Sequence, residues 1–464
     1  MQITFFGAAG EVTGSCHILS IGQHKVLLDC GMIQGSRRNE DRNREAFPFE
    51  PAEIDAVILS HAHIDHSGRL PLLVKRGFKG PIICQNATAD LTKILLLDAA
   101  NISESDAERE NRKRERKGLK LIEPLFTRAD AKQALKRLRS YKYRETTEVL
   151  DGLQVCFRDA GHILGSTIVD LKLREGDIQK RVVFSGDLGQ FDTPILHDPA
   201  AVENADLVIM ESTYGGRDHR ARDNTIEELG EVIRTAAGTG NILIPAFAIG
   251  RSQEILYELG AHYHEWQMKN WQVFLDSPMA IEASEVYWDY PHLYDEDATK
   301  LRKDINEMPP LRNLHLTRTP GESMVINKLN SGAIIMAGSG MCNGGRILHH
   351  LKHNLWRREA RVVIVGYQAR GSLGRRLVER QKRVRIHGET ISVNAEIHTI
   401  GGLSAHGDRG DLMRWYGQFR NKPPLCLVHG EPDAGAALRV GIREKFGSKV
   451  LQPAPGDVID LKTL

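Results

Sequence analysis

The sequence predicts an α/β protein. Three observations carry that expectation: short apolar runs rich in Val, Ile and Leu and bounded by Gly, Asp or Ser; amphipathic segments of helical period between many of them; and no fixed-period repeat. The runs at 25–29, 56–60, 182–185, 207–210, 242–244, 361–365 and 425–428 read as strands buried in a sheet. The segments at 87–101, 128–141, 225–237 and 251–261 read as helices. The stretch 104–117 is almost entirely charged, and its mixed signs at helical spacing mark a solvated helix face rather than a binding tail.

At about 150 residues per domain, 464 residues make two or three domains, each able to bury its own core. Hydrophobic residues at 41% and charged residues at 26% exclude disorder and collagen-like repeats. Lys plus Arg number 62 against 60 Asp plus Glu, a net charge of +2, so any nucleic-acid role must rest on local basic patches. Cys16, Cys30, Cys84, Cys156, Cys342 and Cys426 lie far apart with no CxxC spacing and read as reduced core residues. No long apolar run and no leader-like start is present, so a cytoplasmic location without membrane contact is expected. Without a linker, a second domain is expected as an insertion, residues 216–385 between 1–215 and 386–464, entered near Tyr214 and left near Arg385.

The run starting at Ala56 leads directly into His61-Ala-His63-Ile-Asp65-His66. His61 and His63, two apart in an extended segment, project the same way; a helical turn then carries Asp65 and His66 to a neighbouring position, which suits two adjacent metal ions. Open α/β sheets place their sites at the C-terminal ends of strands, and other runs deliver ligand-type residues there: His162, Asp187, Glu211 and His429. Asp29 ends another run and is the kind of carboxylate that orients a ligand histidine from behind.

This HxHxDH motif, followed in order by His162, Asp187, Glu211, Ser404-Ala-His406 and Val428-His429-Gly-Glu, resembles the β-CASP branch of the metallo-β-lactamase superfamily. Within it, the chain is similar to RNA-processing nucleases akin to the endonuclease subunit of the cleavage and polyadenylation machinery. The resemblance spans essentially the whole chain. It implies an αββα sandwich built from the outer segments, an inserted β-CASP domain and an active site in the cleft between them. It further implies one zinc on His61, His63 and His162, a second on Asp65, His66 and His429, and Asp187 bridging the two. A histidine at the position of His429 resembles the RNA-acting branch; the DNA-repair branch typically lacks it. The N-terminal RNA-binding extension of archaeal relatives and a long C-terminal domain are expected to be missing.

Imidazole and carboxylate donors without thiolate suit catalytic Zn²⁺, where an open position holds water with a pKa of about 7. A metal-bound hydroxide could then hydrolyse a phosphodiester, leaving a 5′-phosphate and a 3′-hydroxyl, with single-stranded RNA as the expected substrate. Self-association is compatible with the sequence. The departing ribose oxygen needs a proton, for which His406 paired with Glu211 is the candidate; Asp65 is counted with them as catalytic as well as ligating. For substrate binding, Ser339, Gly340 and Arg346 lie in a glycine-rich turn ahead of a helix, where backbone amides can cradle a phosphate or the glycines simply serve the turn. Arg370, Arg375 and Arg376 open a basic stretch readable as an RNA-facing lip or as an exposed helix face. Competing readings are a metal-dependent hydrolase of a small ester or thioester and a silent RNA-binding scaffold; the full ligand set disfavours the scaffold.

Overall fold

Period-two alternation with both faces buried sets the architecture of the computed structural model, which describes residues 1–305, 311–369 and 371–464. The chain divides into two units: Met1–Thr193, His197–Asp218 and His406–Leu464 form the first, and Pro194–Leu196 with His219–Ala405 the second.

The first unit holds two seven-stranded sheets. In the first sheet Ala56 and Ile58 face one apolar layer and Val57 the other; in the second, Val182, Phe184, Leu207 and Ile209 face one and Val183, Val208 and Met210 the other. The shared inner layer joins Ile3, Phe5, Leu19, Val26 and Leu28 of the first sheet to Val155, Phe157, Val169 and Leu171 of the second. The outer face of the first sheet packs on Leu70, Leu73, Leu96 and Ala131 from helices, and that of the second on Leu412, Trp415, Leu438 and Ile442. The result is an αββα sandwich.

The second unit is a six-stranded, all-parallel sheet in the order Leu314–Leu316, Gln272–Leu275, Ala333–Ala337, Ile242–Pro245, Arg361–Ile364, Glu396–Thr399. Helices cover both faces: Leu229, Ile233, Ile255 and Leu259 on one, Ile347, Leu351 and Leu377 on the other. The expected boundaries at 215/216 and 386 therefore move. The second unit extends to Ala405, because Glu396–Thr399 pairs in parallel with Arg361–Ile364 and belongs to that sheet.

Two local differences have physical causes. The segment 128–141, expected as one helix, is a helix only over Arg128–Leu135; Leu138–Tyr141 is a strand, because it completes the sheet edge beside Ile82–Gln85. The helix expected at 87–101 runs over Asn86–Glu115, and its charged half carries i,i+3 and i,i+4 ion pairs such as Arg109–Asp106 and Arg112–Glu108. All six cysteines are buried and free. Among the described residues no helix is long and apolar enough to cross a membrane.

Phe184 sits in the layer between the sheets at 2% exposure and packs edge-on against His17. Phe184→Ala should lower unfolding stability by about 3–5 kcal/mol, the usual cost of emptying a buried phenylalanine site. Urea unfolding checks this; a loss within experimental error would contradict the packing described.

Candidate metal centre

The strand Ala56–Ile58 lies in parallel between His24–Leu28 and Ile82–Gln85, which fixes the direction in which residues 59–63 leave the sheet. His63 then stands at the N-terminus of the short helix Ile64–Ser67, its carbonyl accepting from the His66 and Ser67 amides. The turn is held against residues 30–32: Cys30 N donates to His66 O and Met32 N to Ile64 O, both at 2.8 Å. Gly31 is required there, since a Cβ would stand 1.6 Å from the Asp65 carbonyl oxygen.

Two sets of side chains meet around Asp187, which follows the strand Ile178–Phe184 of the second sheet. In the first set, His63 Nδ1 lies 3.1 Å from His61 Nε2 and 3.1 Å from His162 Nε2. Asp187 Oδ2 is 3.5 Å from His61 Nε2 and 3.6 Å from His162 Nε2. In the second, His66 Nε2 is 3.1 Å from His429 Nε2, which is 3.4 Å from Asp65 Oδ2. Asp187 Oδ1 lies 3.3 Å from His66 Nε2 and 3.7 Å from His429 Nδ1.

These spacings fit a cation better than hydrogen bonding. A single ring nitrogen carries one proton or one lone pair, so His63 Nδ1 cannot bond in line to two other imidazoles. Donors about 2.0–2.1 Å from a tetrahedral centre stand about 3.3 Å apart, close to the separations seen. Asp187 Oδ1 is buried and accepts no hydrogen bond, a costly state that a cation would relieve. The donor set, imidazole and carboxylate, fits metal binding.

Residues behind the ligand-type side chains fix which nitrogen points inward. Asp29 accepts from Ser15 Oγ at 3.0 Å, Ser60 N at 2.8 Å, Ser60 Oγ at 3.0 Å and His66 Nδ1 at 2.7 Å. With its proton given to Asp29, the Ser60 hydroxyl can only accept from His61 Nδ1, 3.1 Å away, which turns the Nε2 lone pair inward. Thr213 Oγ1 donates to the His429 carbonyl at 3.0 Å and so accepts from His429 Nδ1 at 3.1 Å. Asp29 and His429 both adopt left-handed backbone conformations, φ 60° and 47°, strain of the kind that functional sites store. Ser15, Ser60 and Thr213 were not singled out by sequence, although Ser60 directly precedes His61 and Thr213 lies two residues after Glu211.

The electrostatics suit cation capture. Burial, with His66 nearby, pulls His61 well below the ordinary imidazole range, and burial takes His63 down to about 4, leaving both neutral with lone pairs to offer. Burial raises Asp187, but the surrounding imidazoles outweigh it and hold the carboxyl far below its usual range. In the second set, burial lowers His66 but Asp187 and Asp29 outweigh it and hold it well above its usual value, so an ion there would have to displace the imidazole's proton. Beside this cluster, His406 Nδ1 meets both oxygens of Glu211 at 3.1 Å, and its ring lies 4.5 Å from that of His162. Burial lowers the His406 imidazole, but Glu211 and Asp187 outweigh it and raise it to about 10.

The expected substrate contacts lie in the second unit and are mostly engaged there. Arg346 donates to Asp276 Oδ1 at 2.7 Å and to the Thr317 and Arg318 carbonyls. Ser339 Oγ accepts from the Asn343 and Gly344 amides, so the turn closes on itself rather than presenting those amides to a phosphate. Gly340 packs under Phe247, where a Cβ would come within 2.9 Å of the ring. Arg375 pairs with Glu379 at 2.7 Å, and Arg376 reaches the Gly371 carbonyl. Arg370 lies outside the described residues.

Residues 9–231 match the metallo-beta-lactamase superfamily model, residues 252–377 the Beta-Casp domain, and residues 390–453 the Zn-dependent metallo-hydrolase RNA specificity domain. Ribonuclease TTHA0252 of Thermus thermophilus is 39% identical over 440 residues, covering 94% of this chain and 95% of that protein. Transcription termination factor FttA of Methanocaldococcus jannaschii is 30% identical over 475 residues, covering 100% of this chain and 72% of that protein. FttA of Methanosarcina mazei is 32% identical over 461 residues, with 96% and 69% covered. A crystal structure of a protein of unknown function from Enterococcus faecalis V583 shares the fold, with TM-score 0.55, 13% identity and 99% of each chain covered. Fold, metal-fitting cluster and relatives agree: the chain belongs to the Beta-Casp branch of the metallo-β-lactamase superfamily and is a metal-dependent nucleic-acid hydrolase.

Proposed function

We propose that the protein is a zinc-dependent ribonuclease that hydrolyses RNA to 5′-phosphate and 3′-hydroxyl ends. Two zinc ions would be held, one by His61, His63 and His162, the other by Asp65, His66 and His429, with one oxygen of Asp187 toward each. The observation that carries this reading is the Asp187 carboxylate, buried between two imidazole sets with Oδ1 left without a hydrogen bond. RNA is favoured over other nucleic acids by the RNA specificity domain matched at 390–453 and by the relative named as a ribonuclease.

When bound, such an ion pair polarises a phosphoryl oxygen and brings the pKa of water to about 7. The chain's own residues do the remainder. Asp29, Ser60 and Thr213 hold His66, His61 and His429 in the tautomers that face inward. Glu211 holds His406 by Nδ1, so the proton for the leaving group comes from Nε2, the nitrogen that Glu211 does not hold. Water's oxygen joins phosphorus, the P–O3′ bond breaks, and the proton from His406 goes to the departing 3′-oxygen. A thioester leaves as a stabilised thiolate with little need of a proton, so the His406–Glu211 pair favours an alkoxide leaving group over the small-thioester alternative.

Asp187→Ala should lose both ions: elemental analysis should find less than half the zinc of the parent protein, with RNA cleavage abolished. Full zinc content and undiminished cleavage would contradict a shared carboxylate. End analysis of the products should find no 2′,3′-cyclic phosphate, whose appearance would mean that the 2′-hydroxyl attacks instead of water.

His406→Ala should keep its zinc yet cut RNA about 10²–10⁴-fold more slowly, the usual scale of general acid catalysis. A nitrophenyl phosphodiester, whose phenolate leaves without a proton, should be hydrolysed by that variant at nearly the parent rate. Glu211→Gln should show the same selectivity in milder form. Equal losses on both substrates with zinc intact would remove the proton-donor role.

A further inference from the structure

A concave patch at the edge of the first unit's first sheet carries positive charge that no carboxylate offsets. It encloses about 360 Å³ and is lined by Lys79, Gln133, Lys136, Arg137 and Arg139, with no acidic and no aromatic residue in its wall. None of the four cations forms an ion pair among the described residues. Arg137 instead donates to the Lys79 carbonyl, tying the two segments together, while its Nε is buried without a partner; Arg139 donates to the Lys136 and Leu138 carbonyls. Several arginines elsewhere are spent internally, such as Arg158 and Arg181 on Asp170, Arg222 on Glu254 and Glu258, and Arg375 on Glu379. In a chain of net charge +2, an uncompensated cluster of four cations in a concavity is a local feature, not a reflection of overall charge.

The wall specifies the ligand class. Without aromatic rings it offers no platform for stacked bases, and with Gln133 as its one uncharged polar side chain beside four cations the wall favours phosphate over base contacts. Lysine and arginine heads around an open groove recognise phosphate oxygens on a flexible backbone.

The groove's place in the sheet separates it from the metal centre. Residues 79–81 lead into the strand Ile82–Gln85 and residues 133–137 into Leu138–Tyr141, two parallel neighbours, so the groove opens at their N-terminal ends. His61 to His66 follow the C-terminal end of Ala56–Ile58, a parallel strand of the same sheet. A four-residue strand of about 13 Å lies between the two edges, so one phosphodiester cannot occupy both.

We propose that this groove is an RNA exosite, holding the phosphate backbone of single-stranded RNA at a stretch several nucleotides from the bond being cut. The proposal rests on the ribonuclease reading and adds where a long substrate is gripped.

The test is Lys79→Ala/Lys136→Ala/Arg139→Ala, with Arg137 kept because it supports the Lys79 carbonyl. Steady-state cleavage of an RNA well beyond the roughly 4–16 nucleotides that a single-strand groove covers is measured across salt concentrations, beside hydrolysis of bis(4-nitrophenyl) phosphate. The triple variant should raise KM on long RNA with kcat unchanged, and the slope of log kcat/KM against log salt should fall by about 2, from roughly 0.7 per lost phosphate contact. Hydrolysis of the small diester should be untouched, and Lys79→Arg/Lys136→Arg should keep the parent slope. Unchanged KM and slope on RNA that the parent protein cuts overturn the exosite and leave the ribonuclease reading intact. Equal losses on RNA and the small diester overturn it as general damage. Dissociation of a parent oligomer with RNA constants unchanged overturns it in favour of self-association. A parent protein that hydrolyses the small diester but no RNA removes the ribonuclease reading and the exosite together.

Discussion

A buried carboxylate with one oxygen turned toward each of two imidazole sets is the constraint on which the remaining structure depends. Asp187 is 2% exposed, and burying an ionised carboxylate is tolerable only where positive charge or hydrogen-bond donors surround it. Its donors arrive from different places: His61 to His66 follow a strand of one sheet, while Asp187 itself, and His429 at the end of Leu425–Val428, belong to the other. The sandwich core of Ile58, Phe157, Phe184, Ile209 and Val428 holds those strand ends in register. The helices outside act one step further away, covering the outer faces that alternation along each strand would otherwise expose.

Much of this is legible in the sequence because the relevant signals are dense. Strands buried on both faces read as unbroken apolar runs, and four ligand-type residues within six positions after such a run leave little room for another meaning. What escaped depends on partners distant in sequence. Apolar residues at 131, 134, 135, 138 and 141 continue a helical period, so only pairing with Ile82–Gln85 reveals that 138–141 is a strand. Arg346 looked available for phosphate until Asp276, seventy positions earlier, was found holding it. Ser60 and Thr213 escaped for a different reason: hydroxyl residues are common at strand ends, and their role here depends on which ring nitrogen they face.

The distribution of charge follows the same logic. A few arginines in the folded units are held by buried carboxylates such as Asp170 and Asp276, where they satisfy acceptors that the core could not otherwise bury. A count of basic residues along the chain does not by itself show where a polyanion would bind; after 370, for example, Arg375 is held by Glu379. Lys79 and Lys136 become neighbours only because two parallel strands start side by side, and no carboxylate accompanies them.

The central claim is that Asp187 is shared by two ions, one in each imidazole set. Anomalous X-ray scattering at the zinc edge from crystals of the zinc-loaded protein tests it most directly. The account predicts two peaks of comparable height, one among His61, His63 and His162 and the other among Asp65, His66 and His429, with Asp187 between them. A single peak, or a second peak that does not touch Asp187, would contradict it.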